Sequence, residues 1–409
     1  MKKIKKILVE QLKVGMYISD LDEGYMDHPF ILSRFQVKDD GVICKLIDAG
    51  IRAVYIDTSK GLDVPDAPSY SDILKNLKNE MDKIAEDKKN GEDKVKVSIY
   101  DELDSAQKTY NEAGRIIRDI IDDVSKGRRI SEDKAKLSVA KISESITKCQ
   151  DALLLLCSSK NKNDHIFQHS ISVCSLVVAF CNSLGFDEQS VNSAGLGGLL
   201  LDVGKAKIDN KIINKTLKLT EKEFNILKEH VAEGRKIIDQ IPDIPEISKQ
   251  IICEHHENYD GSGYPKGLKG DEISKFGRIA AICDVYDAIT SDRLYRKGLI
   301  PNKALSKIFE WRGSKFDRLL VEQFIHTIGI YPTGSFVMLE SGRVALVIQQ
   351  NGKSLLTPII KVFYDSIIKK YVKPVEVDLS EGFSDRIADA VSPLKLKLDI
   401  NPMDILLTL

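Results

Sequence analysis

Five of the seven histidines in this 409-residue chain, His165, His169, His230, His255 and His256, fall between positions 165 and 256. Two acids sit in apolar company nearby. Asp202 follows three leucines in "GLLLDVGK", and Asp284 in "RIAAICDVYDAI" has Ala280, Ala281 and Ala288 as its i±3 and i±4 neighbours. A carboxylate in such a setting neutralises, finds a cation or binds a metal. Helical spacing turns the imidazoles inward as well. His169 shares a stripe with Val173, Leu176 and Phe180, His230 follows Ile226 and Leu227, and His255 and His256 follow Ile251 and Ile252 by one turn. His165 lies one turn before His169. Such imidazoles and carboxylates together fit mixed N/O coordination of Fe, Mn, Zn or Ni better than of Mg or Ca. Nothing has the thiolate spacing of a structural zinc site. Separate hydrogen-bonded polar groups in a helical core are the alternative, and Lys205, three residues after Asp202, is an ion-pair partner compatible with either.

Two further stretches have the chemistry to meet an anion. The loop "YDGSGYPKGLKG" (259–270) carries four glycines, which let backbone N–H groups approach a phosphate, together with Lys266 and Lys269. "TSDRLYRKG" places Arg293, Arg296 and Lys297 just past Asp284, where they could clamp a phosphate. An ordinary turn and a solvated charged face are the plain readings of these stretches. A metal cluster beside such donors is what phosphodiester hydrolysis requires: the cation activates water and neutralises charge at phosphorus, and Lys or Arg stabilises the transition state.

The elements that must carry these groups follow from periodicity. A chain of this length holds more than one domain. Residues 1–65 read as a small α+β domain, with strands in "KKILVEQL", "GMYISDL" and "RAVYIDT" and a short helix in "VICKLIDAG". Residues 66–100 read as a charged helix and a flexible linker. A 3.6-residue period then marks connecting helices over 101–158 and an all-helical domain over 159–330, with a Thr220/Glu223 capping box opening the His230 helix. Residues 331–409 alternate in "FVMLESG", "RVALVIQQNGK" and "VKPVEVDLS" as a short β-containing extension. The fold class expected is mainly α. The helices at 101–158 either pack within the chain or support a homodimer.

Composition narrows the partners. A formal net charge of -1 provides no basic field for nucleic acid or membrane. Seven cysteines without a CxxC pair read as reduced thiols. The basic start "MKKIKKILVEQLK" is interrupted by Glu10, Gln11 and Lys13, unlike a signal peptide, and no apolar run reaches the ~20 residues of a membrane span. A cytoplasmic location is expected.

"HHENYDGSGYPKGLKG" followed by "GRIAAICDVYDAITSDRLYR" closely resembles the signature of HD-GYP domains, a bacterial branch of the HD phosphohydrolase superfamily. "HSISVCSLVVAF", "LDVGK", "NKTLKLTEKEF" and "LKEHVAEG" match its other blocks in order, so the resemblance spans roughly 160–330. "LKVGMYI", "HPF" and "AGIRAVYIDT" resemble a domain of unknown function commonly fused ahead of HD-GYP modules. The resemblance implies an all-helical, cytoplasmic phosphodiesterase that hydrolyses cyclic di-GMP to pGpG or GMP in second-messenger signalling, with iron or manganese as cofactor. It implies His169, Asp202, His230, His255, His256 and Asp284 as ligands, Asp202 bridging and also catalytic, and Lys205 assisting at the phosphate. Gly263, Tyr264 and Pro265 become the name-giving loop, a surface for substrate and for signalling partners, with Arg293, Arg296 and Lys297 beside it.

Two positions depart from the family pattern. The His-Asp dyad reads Leu201-Asp202, and Leu294 stands where proline is usual. The dyad change affects the metal position formed by His169, Asp202 and Asp284, whereas the position using Asp202, His230, His255 and His256 keeps its full set. His165 stands where some members present a glutamate ligand. One or two ions are expected, and two readings follow: a phosphodiesterase slowed by the missing histidine, or an inactive module that binds cyclic dinucleotide or protein.

Overall fold

The computed structural model of the chain describes residues 4–22, 34–86, 97–159, 165–215, 217, 219–292, 297–351, 354–398 and 400–408. It separates into two compact units, Met1–Glu80 with Asp209–Lys228, and Met81–Ile208 with Glu229–Leu409.

In the first unit, strands β1 (Ile4–Leu8), β2 (Tyr17–Asp20), β3 (Phe35–Gln36) and β4 (Ala53–Asp57) form an antiparallel sheet in the order β1-β4-β2-β3. Register runs from Ile4 opposite Asp57 to Leu8 opposite Ala53. Helix α1 (Asp40–Asp48) is capped by Asp39, whose carboxylate accepts from the Val42 N–H at 3.1 Å. Its Leu46 joins Ile7, Ile18, Val54 and Ile56 in one buried cluster. Helix α2 (Tyr70–Glu86) has few buried positions, as its charged sequence predicts, and the linker expected after it lies outside the described residues. Short α7 (Asn210–Ile213) precedes α8 (Glu221–Ile238), where Thr220 and Glu223 exchange reciprocal hydrogen bonds as a capping box.

The second unit joins a helical body to a C-terminal sheet. It contains α3 (Ile99–Ser125), α4 (Glu132–Ser158), α5 (His165–Ser183) and α6 (Glu188–Leu200). The end of α8 follows, then α9 (Glu246–Glu254), α10 (Lys275–Thr290), α11 (Pro301–Glu310) and α12 (Arg318–Ile328). Helices α3 and α4 pack on each other and on α5, so the connecting helices are part of this core. Phe324 on α12 meets Phe180 of α5 and Tyr286 of α10 edge-on, with ring centroids 5.3 and 5.4 Å away. Gly197 on α6 faces α9 so closely that an added Cβ would lie 2.8 Å from Ile251 Cβ, which draws the helix ending at His255 toward the one ending before Asp202.

The C-terminal extension is a full antiparallel sheet. Strands β5 (Phe336–Leu339), β6 (Arg343–Gln349), β7 (Ile359–Asp365), β8 (Lys370–Asp378) and β9 (Ile387–Ala390) run in the order β8-β7-β6-β5-β9, followed by α13 (Pro402–Leu407). The buried carboxylate of Asp151 on α4 accepts from Thr333 Oγ1 at 2.5 Å and from the Gln350 N–H at 3.3 Å, tying this sheet to the helices. All seven cysteines are free, and five are buried. No helix among the described residues is long and apolar enough to cross a membrane.

Candidate metal centre

Four elements converge on Asp202. The carboxylate stands just after α6, 4% exposed, at the head of a 3-10 turn (Val203–Lys207). Gly204 in this turn lies so close to α8 that a Cβ would fall 1.9 Å from the His230 carbonyl oxygen and 2.4 Å from the Gly234 nitrogen. Only glycine permits that approach, and it brings His230 Nε2 to 3.4 Å from Asp202 Oδ1.

His255 and His256 lie at the end of α9 and just beyond it, not inside a continuing helix. His255 Nδ1 is 3.0 Å from the Ile252 carbonyl oxygen and 3.2 Å from that of Ile251. Donation there leaves Nε2 as a bare lone pair, 3.5 Å from His230 Nε2. Asp202, His230, His255 and His256 each offer one ligand atom within 4.8 Å of all the others.

A second group adjoins the first. His169 Nε2 is 3.0 Å from Asp284 Oδ1 and 3.5 Å from Asp202 Oδ2, while its Nδ1 donates to Asp287 Oδ2 at 2.7 Å. The carboxylate fixes the ring so that Nε2 faces the centre. His256 Nδ1 lies 3.8 Å from Asp284 Oδ2, which links the two groups. Lys205 Nζ is 2.5 Å from Asp202 Oδ2.

The electrostatics match these roles. Burial drives Asp202 toward its neutral form, but Lys205, His230, His169 and His255 outweigh it and hold the carboxyl well below its ordinary value. Burial lowers His255, and burial with the neighbouring His255 and His230 lowers His256 well below the ordinary imidazole value. His255 and His256, favoured in their neutral forms beside an ionised Asp202, each have a nitrogen lone pair to offer a cation. That donor set fits a borderline divalent cation, and the residues present satisfy it.

Several expectations change in detail. Ile226 is 39% exposed, so Leu227 alone marks the buried side of α8 before His230. Leu201 is fully buried and brings no donor atom to the site. The side chain of His165 lies outside the described residues, as do Arg293, Leu294 and Arg296. Lys297 is exposed, and its Nζ bonds Asp292 Oδ2 at 2.9 Å.

The loop over 259–270 is not an open cradle of N–H groups. Those of Lys266 and Leu268 go to Glu257, that of Ser262 to Asp260, that of Tyr264 to the His256 carbonyl and that of Lys269 to Glu272. Gly263 is wedged against 256–258, where a Cβ would lie 2.2 Å from the Asn258 nitrogen. The Tyr264 ring stacks on His256 at 4.6 Å, while Pro265 and Lys266 are exposed.

Asp287 and Glu257 were absent from the residues singled out by sequence. Asp287 lies three positions after Asp284, on the same face of α10, a spacing that could have marked it. Glu257 directly follows the histidine pair, and only folding of the loop back over it reveals what it holds.

An HD-domain family profile matches residues 158–320, and a domain of unknown function (DUF3391) matches residues 4–135. A cyclic di-GMP phosphodiesterase of Pseudomonas aeruginosa is 35% identical over 94% of this chain and 91% of its own length. The cyclic di-GMP phosphodiesterase response regulator RpfG of Xanthomonas campestris is 36% identical over 35% of this chain and 38% of its own. The solved structure of Bd1817, described as an HDG"Y"P protein of Bdellovibrio bacteriovorus, covers 78% of this chain and 98% of its own at a TM-score of 0.46 and 16% identity. With similarity to the Pseudomonas protein extending over nearly the whole length of both, and the HD-domain match enclosing the Asp202 centre, this chain belongs to the HD-GYP family of phosphodiesterases.

Proposed function

We propose that the chain hydrolyses cyclic di-GMP to pGpG or GMP, with iron or manganese held by Asp202, His230, His255 and His256 and a second, weaker position at His169, Asp202 and Asp284. The observation that carries this reading is the convergence of Asp202 and three imidazoles within 4.8 Å. A divalent cation bound there would supply Lewis-acid polarisation of the phosphodiester and a lowered pKa for water.

The chain's own groups do the rest. Asp202 stays ionised because Lys205 sits against it, and the same ammonium is the cation at hand to assist at the phosphate. Asp287 keeps the His169 ring turned to Asp284 and Asp202. The Ile252 carbonyl keeps the His255 proton on Nδ1, away from the site. Arg293 and Arg296 supply further cations to the diester, and the exposed tip of the loop at Pro265 and Lys266 faces signalling partners.

Purified full-length protein assayed with cyclic di-GMP beside Asp202→Asn tests this. The wild type is expected to release pGpG or GMP and to carry iron or manganese, and the variant to lose both by at least ~100-fold in rate. Equal turnover in the two proteins would overturn the assignment.

A further inference from the structure

We propose that Glu257 is a positioning residue that sets the ring of His256 by closing the glycine-rich loop onto it. Its carboxylate, 2% exposed, stands inside the loop as an internal anion. Oε1 accepts from the Lys266 N–H at 2.7 Å and Oε2 from the Leu268 N–H at 3.0 Å, so one side chain ties two points of the returning strand of the loop. The Tyr264 N–H donates to the His256 carbonyl oxygen at 3.0 Å, and the Tyr264 ring lies on the His256 ring at 4.6 Å and 27°.

The need for this arrangement comes from comparing the ligand side chains. His169 is oriented by Asp287, His255 by the Ile251 and Ile252 carbonyls, and Asp202 by Lys205. The His256 ring has no hydrogen bond to backbone among the described residues, and it follows the end of α9, where no helix fixes it. Beyond the 3.8 Å approach of its Nδ1 to Asp284 Oδ2, the ring is held from outside the histidine cluster by the stack on Tyr264. Tyr264 is placed by a loop that, with Gly263 pressed to 2.5 Å of Glu257 Cα in the Cβ direction, closes only while Glu257 holds the other side. Replacing the carboxylate by an amide turns one of these two acceptors into a donor that faces a partly buried backbone N–H, which opens the loop and removes the stack.

The inference rests on the metal reading of the site, and its test separates the two. Mn²⁺ is titrated into the full-length protein and followed by electron paramagnetic resonance, with melting temperature measured alongside. Glu257→Gln and Tyr264→Leu are each expected to weaken Mn²⁺ binding about tenfold, the range for losing an orienting partner. Their combination is no weaker than either alone. Tyr264→Phe, which keeps the ring, should bind within twofold of wild type, and hydrogen exchange at the Lys266 and Leu268 amides should quicken in Glu257→Gln. Unchanged Mn²⁺ affinity in Glu257→Gln with those amides exchanging freely would overturn the proposal. If Glu257→Gln does not fold, the Tyr264 pair decides by the same criterion. A wild type that binds no Mn²⁺ sinks the metal reading alone. The metal-free crystal structure of Glu257→Gln then decides the matter: a His256 ring turned off Tyr264 supports the role, and an intact stack refutes it.

Discussion

His169 shows how little of a ligand's behaviour its own spacing contains. Burial alone would lower its pKa, but Asp284 and Asp287 on either side outweigh that and carry it up to about 9 in the metal-free protein. A raised imidazole stabilises the fold fully below the unfolded value near 6.5, and that contribution is lost as pH rises through about 9. Metal binding must expel the same proton, so affinity at the His169 position should climb with pH up to about 9 and flatten above it. Chelator competition across that range checks this, with His169→Asn expected to remove the slope. The fully buried Leu201 gives a second prediction. Leu201→His supplies the imidazole that precedes Asp202 in the family dyad and should raise metal content toward two ions per chain, with turnover up by about 100-fold where a lost clamp of a few kcal/mol is limiting. Inductively coupled plasma analysis with a turnover assay reads both. The inward faces of His169, His230 and Asp284 were legible as helical stripes. The exposure of Ile226 was not, since adjacent helical positions differ by 100° and apolar character alone does not say which of them faces in. Asp287 and Glu257 act through partners more than a hundred residues away or across a folded loop, relations that no local period records.

At the scale of elements, the site exists because helix ends are pressed together. Gly204→Ala would place a methyl into the His230 carbonyl and the Gly234 nitrogen. The turn and α8 must then separate, carrying His230 away from Asp202. The expected result is loss of metal affinity of at least tenfold, visible in a Mn²⁺ titration even where the helical content by circular dichroism is retained. Phe324→Ala probes a different dependence. Its ring joins α5, α10 and α12 in the core, so truncation should cost about 3–5 kcal/mol in chemical denaturation. The α5 and α10 helices were legible from period, α8 from period and its capping box, and β5, β6 and β8 from alternation. Strand β7 was not, because "IIKVFYD" is buried on both faces and reads as an unpatterned apolar run. β9 is only four residues long.

Over the whole molecule, the small sheet with α1 and the helical unit are separately packed bodies, and the metal centre lies within the second. Every ligand in the four-residue cluster comes from a different point along 202–256, so a cation would cross-link the 3-10 turn, α8 and the end of α9. Ligand-linked stability follows: Mn²⁺ at a hundred times its dissociation constant should stabilise the helical unit by about 2.7 kcal/mol, and chelation should reverse it. Calorimetry with and without chelator reads this directly. X-ray absorption at the manganese edge of the loaded full-length protein tests the central assignment most directly. The account predicts a first shell of mixed N and O atoms with the outer-shell scattering of three imidazoles, reduced by one in His230→Ala. An oxygen-only shell, or a spectrum that His230→Ala leaves unchanged, would contradict it.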